Sequence, residues 1–302
     1  MNLLLTGAAG INDIFLRNLK LQGWNVDILQ YETDKLENPT KYDVVICNGL
    51  FLHTPIEAFI NLKVIHLTSA GLDRVPLDYI SNSDIQLFNA RGVYSTPMAE
   101  WVVATILQEY KKISFFSSNQ TIKSWSKNRS LRELSGKRIA IIGAGNVGEE
   151  IAKRLRPFNT EIDGYDVNII PNEYFDSINN ITDFVIENYD VLILTAPHTP
   201  STHHILNKSN LTLLKDGAII IALSRGGLID EAALIETLSE RQDLTAVLDV
   251  FEEEPLKSDS PLWNVENLRI FPHNSFVGEY NQSRLHSLIL KNLEKYITNC
   301  QA

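Results

Sequence analysis

An arginine, a run of carboxylates and a histidine each follow directly on a short apolar run in the last third of this chain. Residues 218–223 lead into Ser224-Arg225-Gly226-Gly227. Residues 244–250 lead into an acidic stretch from Asp249 to Glu254, and residues 268–271 into Pro272-His273-Asn274-Ser275. Apolar runs of this length between turn residues read as strands of a parallel sheet buried on both faces. Ligands of such sheets lie beyond the carboxyl ends of the strands, so the three side-chain types emerge at one edge. Together they suit hydride chemistry on a 2-oxo acid. A guanidinium fork binds a carboxylate and polarises the adjacent carbonyl. An imidazole gives or takes a proton near neutral pH, and a carboxylate beside it orients the ring. The bland readings stand alongside. A single arginine after a strand is commonly a surface ion pair, a single histidine is commonly structural, and Glu252 and Glu253 read as a solvated face.

The partner for such chemistry is written between Lys137 and Asp166. Arg138–Ile142 is a short apolar strand, and Gly143-Ala144-Gly145-Asn146-Val147-Gly148 follows at once. Val147, Ile151, Ala152, Leu155 and Phe158 recur at helical spacing, with Pro157 near the helix end. A second strand, Glu161–Asp166, closes on an acid. Gly143 allows the tight turn, Gly145 lets a pyrophosphate approach the backbone, and Gly148 lets helix and strand pack closely. The amides of Asn146, Val147 and Gly148 lie at the positive end of the helix, where phosphates bind. Asp166 lies 18 positions past Gly148, near the roughly 20 expected for an acid on the ribose hydroxyls. It would repel a 2′-phosphate, and Val167-Asn168-Ile169-Ile170 offers no cation to hold one. The expected cofactor is NAD.

The elements that must position these groups form two lobes. From 138 to 274 there are six apolar runs, the remaining one being 191–195, separated mostly by helical patterns such as Asp230 to Leu238. Six parallel strands make a complete doubly wound dinucleotide fold. Residues 1–95 hold five shorter runs, at Leu3–Leu5, Val26–Leu29, Val44–Ile46, Val64–Leu67 and Ile85–Phe88, with a helical segment from Ile14 to Leu21. They predict a small flavodoxin-like sheet. Thr6-Gly7-Ala8-Ala9-Gly10 looks like a phosphate loop, but Asn12 stands where a further glycine or helix start is wanted. No acid closes a second strand at the right distance, so it reads as a strand-to-helix turn. Pro97 to Phe116 reads as one long helix capped by Ser95 or Thr96. It could cross between lobes, meet a second subunit, or pack in the core. A polar linker with Trp125 follows from Ser117 to Asn128. The tail carries Leu285, Leu288, Ile289, Leu293 and Ile297 at helical spacing and is expected to return to the first lobe. The fold class expected is thus α/β, with two doubly wound parallel-sheet lobes. A flavodoxin-like substrate domain spans 1–95 and 275–302, and a Rossmann NAD-binding domain spans 96–274.

At 302 residues two domains are expected. A net charge of −10 argues against nucleic acid and anionic membrane as partners. Any anionic ligand must then be held by local groups. Cys47 and Cys300 form no spacing pattern and read as reduced thiols of a cytoplasmic protein. The N-terminus lacks a signal peptide's basic region, and no apolar run is long enough to span a membrane. His198, His203 and His204 raise the question of a metal, but no cysteine or acid completes a zinc set, and none is expected.

Over nearly its whole length the chain resembles the D-isomer-specific 2-hydroxyacid dehydrogenase family. The matching pieces are IAIIGAGNVGEEIAKRL, LTAPHTPSTHHILN, ALSRGGLIDEAAL, AVLDVFEEEPL and FPHNS, with SAGLD and STPMAEWVVATIL in the first lobe. The resemblance implies that Arg225 binds and polarises substrate and that Glu254, just before Pro255, pairs with His273 as the acid/base. It implies that Asp249 contacts the nicotinamide carboxamide. It adds Thr195, Ala196, Pro197, Thr202, Leu223 and Ser224 to the cofactor-binding set, and Ser69, Ala70 and Gly71 as receivers of the substrate carboxylate. Family members are usually dimers through the nucleotide domain, and the regulatory domain that the larger phosphoglycerate dehydrogenases carry is not expected after 302. Asn274-Ser275 replaces the small residues often seen after the histidine. Glu254 argues against a formate dehydrogenase, which places a glutamine there. The expected activity is NAD(H)-dependent interconversion of a small 2-oxo acid and its D-2-hydroxy acid, in a cleft between lobes. The alternative is an NAD(H)-sensing binding protein of the co-repressor type on the same fold. Exchanging Asp166 for a small neutral residue is expected to move cofactor preference toward NADP. Steady-state kinetics with both cofactors check this, and an unchanged preference would remove Asp166 as the selector.

Overall fold

The computed structural model describes residues 1–301, and the side chains of residues 1–299. Cys300, as a side chain, and Ala302 lie outside the described residues. The chain divides into two compact units, Met1–Tyr94 with Gly278–Ala302, and Ser95–Val277. No helix among the described residues is long and apolar enough to cross a membrane.

The first unit is built on five parallel strands: β1 (Asn2–Thr6), β2 (Asn25–Leu29), β3 (Val44–Cys47), β4 (Val64–Leu67) and β5 (Gln86–Phe88). Their order is β2-β1-β3-β4-β5, the flavodoxin-like arrangement. β1, β3 and β4 are almost wholly buried because helices cover both faces. One cover is α1 (Asp13–Leu21). Asn12 caps it, its side chain accepting the Phe15 N–H at 2.9 Å, so the residue held against a helix start is the helix start. The turn before it, Gly7–Ala9, is a single 3-10 turn. A second helix, α2, is the short Leu77–Ser81. The C-terminal helix, Asn281–Gln301, lays Leu285, Ile289 and Leu293 into the core beside Leu3, Leu5 and Phe15.

A carboxylate ties the strand ends of this unit together. Glu32 accepts the Thr6 hydroxyl at 2.7 Å and the N–H groups of Asn48 and Gly49 at 2.6 Å each. It joins the carboxyl ends of β1 and β3, the switch point of the sheet where a ligand's anion would sit in a nucleotide-binding relative of this topology.

The second unit opens with two helices, not one. α3 (Ser95–Tyr110) and α4 (Ile113–Thr121) are separated at Lys112, whose φ is +51°. The buried stripe of α3 runs through Ala99, Val102 and Ile106 to Tyr110, and α4 buries no residue, so nothing holds one continuous rod. Trp125, beyond it, is 98% exposed.

The sheet of this unit has seven strands rather than six: β6 (Arg138–Ile142), β7 (Glu161–Asp166), β8 (Ser177–Asn180), β9 (Val191–Leu194), β10 (Ile219–Ala222), β11 (Thr245–Leu248) and β12 (Leu268–Ile270). All neighbours are parallel, in the order β12-β11-β10-β9-β6-β7-β8. The extra strand, β8, is polar and half-buried at the sheet edge, so it carries no apolar run to announce it. The covering helices include α5 (Asn146–Leu155), α6 (Lys208–Leu211) and α7 (Glu231–Glu240). Asp230 caps α7 by accepting the Ala233 N–H at 3.0 Å.

His66 on β4 gives the first unit a pH-dependent stability. Its ring is fully buried, with Nδ1 3.0 Å from the Leu67 carbonyl and Nε2 3.1 Å from the Asn292 amide nitrogen. The ring that fits both is neutral, with the proton on Nδ1. Burial pushes its pKa down to about 4, against a smaller upward pull from the Leu67 carbonyl. The unfolded chain therefore takes up this proton first. The contribution is whole above about pH 6.5 and falls by up to about 1.4 kcal/mol per pH unit toward pH 4. Urea unfolding at pH 7, 6 and 5 should show a shallower pH slope for His66→Gln than for the wild type, and equal slopes would exclude His66 as the source.

Candidate active site

Six strands of the second unit deliver the expected residues to one sheet edge. β6 runs into Gly143, β7 ends on Asp166, and β9 runs into Thr195. β10 leads to Arg225, β11 to Asp249 and Glu254, and β12 to His273. The strand order reverses between β6 and β9, which makes that crevice the place for a dinucleotide.

The glycines there are required by contact. Gly143 has a φ of +107°, and a Cβ on it would fall 2.4 Å from the Ala196 nitrogen. A Cβ on Gly148 would fall 2.2 Å from the Gly143 carbonyl oxygen, so α5 can sit this close to β6 only without a side chain. Gly145 is the N-cap of α5, and the first bond of the helix runs from Glu149 N–H to its carbonyl at 2.8 Å. The amides ahead of that bond, from Asn146 to Gly148, point out of the helix end. The Gly143 N–H bonds the Tyr165 carbonyl at 2.7 Å, which sets the turn beside the end of β7. There Asp166 accepts the Asn168 N–H at 2.9 Å, holding its carboxylate at the strand end. Val167, Ile169 and Ile170 are exposed next to it.

The remaining expected cofactor residues divide between the surface and its support. Thr195 Oγ1 donates to the Gly143 carbonyl at 2.6 Å and so braces the glycine turn. Ala196 is buried under that turn and Pro197 is exposed. Thr202 is buried, its hydroxyl bonding the Pro197 carbonyl at 2.7 Å and the Thr199 N–H at 2.8 Å, so it shapes the loop from inside. Leu223 is buried in the core. The Ser224 hydroxyl is enclosed and finds no hydrogen-bond partner among the described residues, leaving a polar atom for a group the protein does not supply. The turn, the helix end, the acid and this hydroxyl together fit a dinucleotide.

His273 stands in an unusual conformation, with φ at +52°. Its Nδ1 is 2.7 Å from Glu254 Oε2, and Glu254 Oε1 accepts the Phe251 N–H at 3.0 Å. A carboxylate can only accept, so Nδ1 carries a hydrogen and Nε2 is left as the atom that can exchange a proton. Phe276 meets the ring edge-on, with centroids 5.9 Å apart. Asp249 explains the backbone. Its side chain is fully buried and accepts the N–H groups of Asn274 at 2.7 Å and Ser275 at 2.9 Å. The resemblance implied a contact with the nicotinamide carboxamide. The two bonds make Asp249 the anchor of the loop after His273, and each oxygen keeps a second lone pair.

Arg225 lies at the start of the turn Gly226–Leu228, with Nη1 bonded to the Ser224 carbonyl at 2.7 Å. Gly226, one of the glycines after Arg225 in the sequence, is what lets this turn meet the loop of Glu254. A Cβ on it would lie 1.9 Å from the Phe251 carbonyl carbon. Glu252 also has a fixed place. It pairs with His204 Nε2 at 2.8 Å, and its N–H bonds Glu231 at 2.8 Å, while His204 N–H bonds the Gly227 carbonyl at 2.9 Å. Glu252 is thus exposed, as the reading of a solvated face has it, and is tied to its neighbours as well. Glu253, by contrast, makes an exposed pair with Lys257 at 2.7 Å. His198 and His203 bond each other at 3.0 Å, and no cluster of three or more metal-ligating side chains occurs among the described residues.

In the first unit, Ser69, Ala70 and Gly71 follow β4. Their carbonyls are all engaged, by Ala90 N–H at 2.9 Å, Asn89 Nδ2 at 2.7 Å and Ser69 Oγ at 3.0 Å respectively. The N–H groups of Ala70 and Gly71 make no hydrogen bond among the described residues.

Residues 103–275 match the family model described as D-isomer specific 2-hydroxyacid dehydrogenase, NAD binding domain. The chain is 34% identical to the D-3-phosphoglycerate dehydrogenase of Methanocaldococcus jannaschii over 80% of its own length, and spans about half, 47%, of that relative. It is 34% identical to the hydroxypyruvate reductase of Thermotoga maritima, with 72% of each chain covered. The crystal structure of a D-isomer specific 2-hydroxyacid dehydrogenase family protein from Aeromonas salmonicida superposes with a TM-score of 0.86 at 27% identity, covering 99% of this chain and 96% of that one.

Proposed function

The chain belongs to the D-isomer specific 2-hydroxyacid dehydrogenase family, and we propose that it interconverts a small 2-oxo acid and its D-2-hydroxy acid with NAD(H). The observation that carries the reading is the Glu254–His273 pair, 2.7 Å apart, with Nε2 left to exchange a proton. The bound nicotinamide would supply or accept the hydride. His273 Nε2 gives a proton to the developing alkoxide in the reductive direction and takes it back in the oxidative one. Glu254 holds the ring and its tautomer throughout. Arg225, on the strand beside Glu254's, binds the carboxylate and carbonyl oxygen of the substrate and stabilises the charge that grows on that oxygen. The open amides of Ala70 and Gly71, with Ser69, are assigned to the substrate carboxylate. Asp166 is assigned to the adenosine ribose, and the Gly143–Gly148 turn to the pyrophosphate. Glyoxylate, hydroxypyruvate and phosphohydroxypyruvate are the first substrates to try, given what the related enzymes are named for.

Assembly as a homodimer in a reducing, cytoplasmic setting belongs to the same reading. Helix α4 supports the first part, since it buries no residue and leaves Ile113, Phe115 and Phe116 exposed. The free, buried thiol of Cys47 supports the second.

His273→Ala is expected to cut turnover of the best 2-oxo acid about 10²- to 10⁴-fold while NADH binding persists. Full turnover by the variant would take His273 out of the proton step. A wild type that binds NADH and oxidises it with no 2-oxo acid would end the dehydrogenase reading. Light scattering should give a dimer mass for the wild type and a monomer for Phe115→Glu/Phe116→Glu. A wild-type monomer would refute the assembly.

A further inference from the structure

We propose that Arg74 selects for 2-oxo acids whose far end carries a second anion, a carboxylate or a phosphate. The inference rests on the activity proposed above and names the substrate class within it. Arg74 belongs to the same loop as Ala70 and Gly71, three residues beyond the open amides. Its stem crosses toward the end of the neighbouring strand β3, where a Cβ on Gly49 would lie 3.8 Å from Arg74 Cδ. The other flank of the loop, toward β5, is closed by Asn89, which binds the Ala70 carbonyl at 2.7 Å. The amides and the guanidinium thus lie along one carboxyl edge of one sheet, with the cation on the β3 side.

Three observations turn this placement into a site for an anion. Arg74 is exposed and makes no hydrogen bond or ion pair among the described residues, whereas the other cation of this edge, Arg91, has a partner. Glu32, whose Oε2 would be 3.6 Å from the same Gly49 Cβ, is already bound by the Thr6 hydroxyl and by the amides of Asn48 and Gly49, and Asp73, the carboxylate beside Arg74 in sequence, has a partner of its own. The stem of Arg74 reaches that strand end in ordinary van der Waals range, beside Leu52, whose Cδ1 would lie 3.4 Å from the same Cβ. Meanwhile the net charge of −10 repels a multiply charged acid at long range. Such a substrate would be captured only through a local cation, and a fork of five donors suits either a carboxylate or a phosphate.

The test compares wild type with Arg74→Ala by NADH oxidation on glyoxylate and hydroxypyruvate (uncharged far ends), on oxaloacetate and 2-oxoglutarate (carboxylate ends) and on 3-phosphohydroxypyruvate (phosphate end). The wild type should favour one of the two charged classes, and which one identifies the anion. Arg74→Ala should raise KM for that class about 10- to 100-fold with kcat little changed, as loss of charge-assisted binding common to ground and transition states does. The uncharged acids should move less than about twofold. An equal loss on all five would mean that Arg74 holds the common carboxylate, and no loss on any would mean that it is a solvated surface group; either overturns the assignment while leaving the activity standing. Failure of the wild type on every acid, with NADH binding intact by fluorescence titration, would overturn both.

Discussion

A carboxylate sealed from water holds the strained backbone of His273. Burying the charge of Asp249 without partners would cost several kcal/mol. Here two backbone amides pay that debt, and each such charged hydrogen bond contributes roughly 1.5–3 kcal/mol. They belong to Asn274 and Ser275, so the same bonds fix the chain immediately after His273. A left-handed backbone at a residue with a Cβ costs about 1–3 kcal/mol. Two charge-assisted bonds exceed that, and the strained conformer persists. What it yields is direction: Nδ1 is turned onto Glu254, and Nε2 is left as the nitrogen outside that pair.

The second constraint is closeness of backbone to backbone, and glycine sets it. Gly226 lets the arginine turn rest on the Phe251 peptide, Gly143 lets the phosphate turn rest on Ala196, and Gly148 seats α5 against that same turn. In each case the predicted contact distance for a Cβ is far inside van der Waals range, and the nearest atom is backbone that cannot rotate away. The side chains assigned to the chemistry are thus placed by residues that have no side chain. His204, Glu252 and Glu231 add a polar clamp across the loops after β9, β10 and β11.

Much of this was legible in the residue order, for identifiable reasons. Apolar runs such as Val191–Leu194 and Ile219–Ala222 are strands because both faces are covered, and a run with no polar phase has few other homes. The glycine turn and its acid are legible because the ligand's geometry dictates their spacing. β8 was not legible, since Ser177-Ile178-Asn179-Asn180 sits at the sheet edge, where burial imposes no pattern. The break at Lys112 was hidden for a related reason: Ile113, Phe115 and Phe116 extend an apolar rhythm that the fold of this unit does not bury. Long-range partners such as Glu32 with Asn48, or Asp249 with Ser275, leave no local mark. Their separation in sequence is set by the intervening helices and loops, not by the bond they make.

The acidic character of the chain sharpens what its sheet edges must do. Backbone N–H groups at strand ends and helix starts attract anions whatever the net charge, because they are close and oriented. Both units satisfy part of this demand internally. Glu32 takes the amides of Asn48 and Gly49 in the first, and Asp249 takes those of Asn274 and Ser275 in the second. Where an internal carboxylate occupies the donors, those amides are taken. Where none does, as at the Ala70 and Gly71 amides and at those of Val147 and Gly148 in the first turn of α5, donors remain for an anion from solution. The division between the two kinds of edge, rather than the overall field, then decides where a negatively charged substrate or cofactor can bind to a negatively charged protein.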